Sequence, residues 1–414
     1  MTYRGSRKPL SQIAAELRGV DALVAGAVLL AGGRAQVTVQ LIDAGSGEIL
    51  WTDRYLREMR DVLALQNEIV AKIVQGIRLK VSPEEKTRLA SVRAVKPETY
   101  ELCAKGRFFL DKLTPEGFQK GLGYLTQAAA NDPEEPLASA GVALGYVLMA
   151  HQGPAAEVPD AFERAKPYAL KAMELDPTLP EAHQALAEIN GYWDWNYSGA
   201  ETEYRRALEL SNGNIPEAHA HYSWLLAALE RPDEQIAEMK RALEIDPLNP
   251  TYHIWLGQYH LEAGRRDESL IEARKALELN PETPDALVLL GDGYALGGDF
   301  SKAIANQEKA AARDPGLSRY ALACTYARAG RGSEARRIAE DLRKRLRRWD
   351  AYGLAMIYAA LGEKDEAFRW LEAMYRGRHP YAPWIRHFSP EFTAWQRDPR
   401  FVDLTRRLRL PNVR

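Results

Sequence analysis

From Pro97 onward, apolar residues recur at steps of three and four in short segments separated by proline or glycine, the spacing of helices that bury one face. The pattern predicts helices over 98–111 and 115–130, 136–149 and 160–175, then further pairs up to 317–329, 333–347, 350–361 and 364–375. Ahead of Pro97 the period changes. Residues 20–30 are apolar on both faces, which predicts a covered interior strand. Residues 36–42 alternate, with Val37, Val39 and Leu41 on one side. In 49–55, Ile49, Trp51 and Tyr55 share a face at period two, and Gly32-Gly33 and Gly45-Ser46-Gly47 supply the turns of a small antiparallel meander. A short helix over 9–18 precedes it. Asp61 caps a helix whose stripe of Val62, Leu65, Ile69, Ile73 and Ile77 is suited to lie on the sheet.

The helical part repeats itself. Asp246-Pro247, Asn280-Pro281 and Asp314-Pro315 stand 34 residues apart, each with an alanine five residues before the proline: Ala242, Ala276 and Ala310. Ala172 and Ala207 extend the series upstream at steps of 35. Small residues at Ser223, Gly257 and Gly291 let paired helices approach, while Tyr222, Leu256 and Leu290 fill the neighbouring core position. This period resembles the tetratricopeptide repeat, which implies a right-handed helical solenoid whose first helices line a concave groove. Gln235 and Ser269 depart from the alanine usual in that pattern. The expected fold is mainly α: a tetratricopeptide-type solenoid over 97–375 and a C-terminal cap over 376–414. A small α/β domain over 1–82 and a linker over 83–96 precede them.

A second resemblance rests on longer phrases. Leu41-Ile-Asp-Ala-Gly-Ser-Gly-Glu-Ile-Leu-Trp51, Asp53-Arg-Tyr55, Leu63-Ala-Leu-Gln-Asn-Glu-Ile69, Tyr3-Arg-Gly-Ser-Arg-Lys-Pro9 and Gly19-Val-Asp-Ala22 resemble the TolB amino-terminal-like domain of bacterial regulatory proteins. In that family a tetratricopeptide array follows, and Lys105-Gly-Arg107, Trp193-Asp-Trp195 and Asp398-Pro-Arg-Phe401 are similar to its recurring phrases. Members commonly carry a winged-helix, adenylate cyclase or serine/threonine kinase module ahead of this architecture. The resemblance implies a sensory or interaction half and transfers no catalytic residue. It also implies that the first domain is incomplete, with an open sheet edge that favours self-association through strand pairing.

Composition narrows the partners. A formal charge of −2 over 414 residues gives no general attraction to nucleic acid or anionic membrane, and no run of 18 apolar residues forms a membrane span. Cys103 and Cys324 both fall in apolar helical patterns and read as buried free thiols. His183, His219 and His253 recur at one repeat position, but packed helices hold them too far apart to share a zinc ion, so they read as core-edge residues. Gly291-Asp-Gly293 and Gly45-Ser46-Gly47 lack the surroundings of a phosphate loop or a serine nucleophile. The basic run from Arg331 to Arg348 carries the apolar stripe Ile338, Leu342 and Leu346 and reads as a solvated helix face, with contact to an acidic partner or phosphates as the minor candidate. No catalytic residue, cofactor or metal is expected.

The candidate peptide groove is His221, Trp224, Trp255, Gln258 and Asp292, because Trp224, Gln258 and Asp292 fall at one groove-facing repeat position. Aromatic residues there, with Tyr192, Trp193, Trp195 and Tyr197, serve either as peptide anchors or as packing between helices. The leading expectation is a non-catalytic protein- or peptide-binding scaffold or sensor of a bacterial signalling or transcription-regulating system, in the cytoplasm. Two alternatives stand beside it. One is the periplasmic sensor of a membrane-anchored regulator; the other is the C-terminal regulatory part of an adenylate cyclase or kinase encoded upstream.

Overall fold

The computed structural model describes residues 22–31, 34–43, 46–58, 69, 95–112, 114–152, 160–314, 316–345, 350–387 and 390–411. The chain divides into two compact units, Met1–Ala104 and Lys105–Arg414. The predicted helix over 9–18 and all of the 62–77 stripe except Ile69 lie outside the described residues.

The first unit contains the meander: β1 (Ala22–Ala31), β2 (Arg34–Asp43) and β3 (Ile49–Glu58) pair antiparallel in the order β1-β2-β3. β2 is therefore the central strand. The doubly apolar 20–30 segment is not interior among the described residues: β1 pairs with β2 alone, and Val24 is 54% exposed. The shared face of Ile49, Trp51 and Tyr55 also needs correction. Leu41 faces Trp51 but Ile42 faces Ile49, so Leu50 is an extra residue in β3 and the parity of the strand reverses there. Ile49 is thereby turned outward at 52% exposure, while Val39 and Tyr55 form a small core that Val37, Trp51 and Ile69 join. At the β2–β3 turn, Gly47 adopts φ 72°, and the Asp43 carboxylate accepts from the Ser46 backbone and hydroxyl at 2.7 and 2.8 Å. The serine is used in turn geometry.

The second unit is a tetratricopeptide-like solenoid of helix pairs. α1 (Pro97–Leu110) leads into α2 (Pro115–Asn131). Among the described residues seven pairs follow: α3 (Pro136–Gln152) with α4 (Ala161–Leu175), α5 (Pro180–Glu188) with α6 (Tyr197–Leu210), α7 (Pro216–Ala228) with α8 (Pro232–Ile245), α9 (Pro250–Glu262) with α10 (Arg266–Leu279), α11 (Pro284–Leu296) with α12 (Phe300–Arg313), α13 (Leu317–Arg328) with α14 (Gly332–Arg345), and α15 (Asp350–Ala360) with α16 (Lys364–Arg376). A 3₁₀ turn (Ala382–Trp384), α17 (Pro390–Ala394) and α18 (Pro399–Arg407) follow α16.

The 34-residue phrase has a structural cause. Proline cannot follow a helical residue comfortably, so the acidic or amide residue before it is extended and closes the helix. Its backbone N–H returns to the carbonyl of the recurrent alanine: Asp246 to Ala242, Asn280 to Ala276 and Asp314 to Ala310, at 2.8–2.9 Å. All three alanines are fully buried, so one residue type meets both the capping and the packing requirement. Between neighbouring pairs, a Cβ on Gly257 of α9 would come within 2.6 Å of Leu289 of α11; within a pair, one on Gly291 would come within 2.5 Å of Gln307. Ser223, also fully buried, donates to the Ala220 carbonyl at 2.6 Å and meets the Tyr259 hydroxyl at 2.9 Å. Gln235 and Ser269, the departures from alanine, are buried like Ala303.

The turns after α9, α11, α13 and α15 use a left-handed glycine: Gly264, Gly298, Gly330 and Gly362 have φ between 72° and 79°. Glu230 stands at the equivalent place at φ 58°, where a side chain is strained.

Candidate functional site

His221 and Trp224 lie on α7, Trp255 and Gln258 on α9, and Asp292 on α11, all partly exposed on three successive first helices. Trp224 and Trp255 meet edge to face at 5.4 Å, and Trp255 contacts His221 at 5.5 Å. Gln258 donates to Glu262 at 3.2 Å, and Asp292 accepts from Gln307 at 2.8 Å.

Trp224 is covered by the chain itself. Tyr381 stacks on its indole at 6.1 Å, Trp384 meets it edge to face at 5.3 Å, and the Trp384 indole N–H donates to the Trp224 carbonyl at 2.6 Å. Trp384 also reaches Tyr192 at 4.7 Å. Beyond it, Arg386 and His387 approach Glu230 at 3.6 and 3.5 Å, and His387 approaches Glu262 at 3.8 Å. Burial raises the Glu230 pKa, but His387 and Arg386 more than offset this and hold it below the usual carboxylate value. The strained Glu230 thus supplies a charge that glycine would lack. The segment after α16 therefore runs along the inner face as far as α7, beyond closing the end of the array.

The Trp193-Asp-Trp195 phrase sits at the far margin of this contact. A π-helical turn (Ile189–Trp193) follows Glu188, and Trp195 stacks on Tyr375 at 5.3 Å. The Arg378 guanidinium lies over Trp193 and Trp195 and donates to the Trp193 carbonyl at 2.8 Å. Tyr197 donates to the Leu408 carbonyl at 2.7 Å. Tyr192, Trp195 and Tyr197 are buried, so the packing role accounts for them. Further along, Arg328 grips Glu391 through two hydrogen bonds of 3.0 and 2.9 Å.

The recurrent histidines occupy a different surface, at the joints between repeats. His183, His219 and His253 each place Nδ1 on a glutamate of the paired helix, Glu203, Glu238 and Glu272, at 2.5–2.6 Å. Each Nε2 lies on a carbonyl of the preceding turn, at Pro177, Gly213 and Pro247. Each ring ties two helices and a turn together with its own partners, as expected of core-edge residues. Cys324 is buried, which pushes its thiol up to about 12, whereas Cys103 is only partly buried. In the basic run, Ile338 and Leu342 are buried and Arg331 and Arg336 pair with Glu334 and Glu363; Leu346 lies outside the described residues.

Two residues missing from the sequence reading join His221. The Glu188 carboxylate, 1% exposed, lies 3.0 Å from His151 Nε2 and 3.4 Å from His221 Nδ1. Tyr192 places its hydroxyl 3.4 Å from the same His221 nitrogen. Burial raises the Glu188 pKa and lowers both histidines, His151 to about 3. Glu188 stands five residues after His183, as Trp224, Gln258 and Asp292 stand relative to His219, His253 and Leu287. Stepping the repeat back once more finds it. His151, at the end of the longer α3, has no such signal.

Burial also raises Asp292 to about 6, with Arg328 and Gln307 opposing. A folded-state pKa above the unfolded value favours the protonated acid in the fold. That contribution is whole below about pH 4 and is lost as pH rises through 6. Asp292→Asn is therefore expected to match the parent at pH 4 and exceed it at pH 8 by on the order of 2 kcal/mol. Gln307 Oε1, buried without a partner among the described residues, is placed to accept from the new amide. Urea denaturation at both pH values measures this; a gain of equal size at pH 4 would remove the charge explanation.

A fold of paired helices with this phrase defines a tetratricopeptide-type solenoid, and the tetratricopeptide repeat family model matches residues 196–250 and 256–318. Over 188 residues the chain is 29% identical to "Putative adenylate cyclase 3" of Rhizobium meliloti (strain 1021), covering 45% of this chain and 31% of that protein. Over 260 residues it is 24% identical to "Transcriptional regulator HilA" of Salmonella typhimurium (strain LT2), covering 62% of this chain and 45% of that one. The chain thus spans less than half the length of these curated relatives. Among solved structures, the APC/C hetero-tetramer Cut9–Hcn1 shares the fold with a TM-score of 0.50 at 16% identity, over 80% of this chain and 60% of that one. Among the described residues no helix is long and apolar enough to cross a membrane.

Proposed function

We propose that this chain is the partner-binding part of a bacterial signalling or transcription-regulating protein, without a reaction of its own. The observation that carries the reading is that the inner face already holds a peptide segment. Tyr381 to His387 is gripped there by indole stacking, by a hydrogen bond to a helix carbonyl and by carboxylates facing Arg386 and His387. That is the chemistry of peptide capture in a helical groove. His221, Trp224, Trp255, Gln258 and Asp292 form the partner site in this reading, with the partner entering beside the chain's own segment.

The relatives support the regulatory setting, one being named a transcriptional regulator and the other an adenylate cyclase. The second of these names favours a further reading, in which the array is the C-terminal regulatory part of a cyclase. Residues 1–82 then belong to a TolB amino-terminal-like domain, a reading supported by the three-stranded meander with Ile69 packed on it. The cytoplasm is the proposed compartment, with the periplasm as the alternative. Gln258→Arg tests the site: it places a long cation on the inner face without touching the core. Affinity capture of the partner is expected to fall at least tenfold with the thermal transition unchanged; unchanged capture would move the site elsewhere.

A further inference from the structure

We propose that His151, Glu188 and His221 form a site for one divalent cation of the zinc class on the inner face of the array. The three side chains come from α3, α5 and α7, so their convergence is a product of the stacked repeats and of no local motif. One donor atom from each lies within 4.8 Å of the other two. Ligands bound to zinc at about 2.0–2.2 Å are separated from one another by roughly 3.0–3.5 Å. The two contacts made by Glu188, 3.0 Å to His151 and 3.4 Å to His221, already have those lengths. Only the gap between the two imidazoles need close.

The donor set suits this class of ion. Two imidazole nitrogens and one carboxylate oxygen are ligands of borderline cations such as zinc, and a calcium or magnesium site would be built from oxygens. Glu188 is buried and meets two imidazole rings and the Gln184 amide, with no lysine or arginine paired to it among the described residues. A divalent ion would supply the positive charge that the buried carboxylate otherwise lacks. Gln184, itself buried, would then orient the ligating carboxylate from outside, as supporting groups do at metal centres.

His221 keeps 16% of its side chain exposed, whereas His151 and Glu188 keep 7% and 2%. The Tyr192 hydroxyl beside His221 belongs to the π-helical turn that begins directly after Glu188, and such turns are frequent at functional sites. The inference revises the sequence expectation of a chain without metal and does not depend on the partner reading.

The test uses the whole chain, purified without a polyhistidine tag, stripped with chelator, and titrated with zinc and with cobalt(II) as a visible probe. The expected result is one zinc per chain after gel filtration and a cobalt spectrum of nitrogen and oxygen ligation. Glu188→Gln and His221→Gln, checked for folding by circular dichroism, are expected to lose at least 100-fold in affinity, and Gln184→Leu about 10- to 100-fold. His219→Gln, at a repeat joint, is expected to bind as the parent does. Absence of stoichiometric zinc in the parent chain, or equal uptake by His221→Gln, would overturn the proposal. If both ligand variants fail to fold, the cobalt spectrum of the parent decides, and a spectrum with no imidazole ligation overturns it equally.

Discussion

Trp384→Ala is expected to destabilise the array by about 3–5 kcal/mol, the range for truncating a fully buried tryptophan. The indole is 2% exposed and packs against Tyr192 and Trp224 while donating to the Trp224 carbonyl. Those partners belong to different repeats, so the loss couples the C-terminal segment to the centre of the array. Neighbouring Ala382 and Ile385 are each 1% exposed, leaving the surroundings little freedom to collapse into the cavity. Urea denaturation gives the free energy, and limited proteolysis gives its location: cleavage within residues 379–411 should precede cleavage of α7 to α12. A change below about 1 kcal/mol would mean that the segment is not seated in solution as described.

The second large effect is at Gly291, where the repeat demands a small residue. A Cβ there would stand 2.5, 2.8 and 2.9 Å from three atoms of Gln307, a fully buried side chain. Gly291→Val should therefore cost about 3 kcal/mol, at the upper end for overpacking. Gln307→Ala in the same chain removes the atoms that clash, and the double variant should recover most of the loss, at the expense of the hydrogen bond to Asp292. Thermal denaturation of the two single variants and the double variant measures the coupling. Strict additivity would contradict the register of α11 on α12.

Much of this architecture is legible in the sequence because the repeat forces the same answer at the same position. The aspartate or asparagine before each proline, the alanine four residues before that one, and the glycine or serine of each first helix all have single structural causes. The phrases behind the family resemblance have structural causes as well. Gly106 lets α1 approach α2, with a would-be Cβ 2.5 Å from Leu125. Trp193 to Trp195 receives Arg378 and Tyr375, while Asp398 accepts from the backbone N–H of Arg400 at the start of α18 and Phe401 is buried.

What breaks the repeat is not legible in this way. The bulge at Leu50 reverses strand parity with no glycine to mark it. The return of Tyr381 to His387 along the inner face is a long-range event, and nothing in a local window distinguishes Trp384 from an ordinary core residue. His151 meets Glu188 and His221 across three first helices, at places that the 34-residue period does not equate. The repeat position of Trp224 is legible in the sequence; that Tyr381 and Trp384 of its own chain cover it is not.

The inner face as the partner surface is tested most directly by photo-cross-linking in the living bacterium, with benzoylphenylalanine placed at one of two positions in the same repeat. Gln258 lies on the first helix, α9, whereas Ile271, 48% exposed, lies on the second, α10. A discrete partner band from position 258 that is absent from position 271 is the expected result. Bands of equal strength from both positions, or a band from position 271 alone, would contradict it.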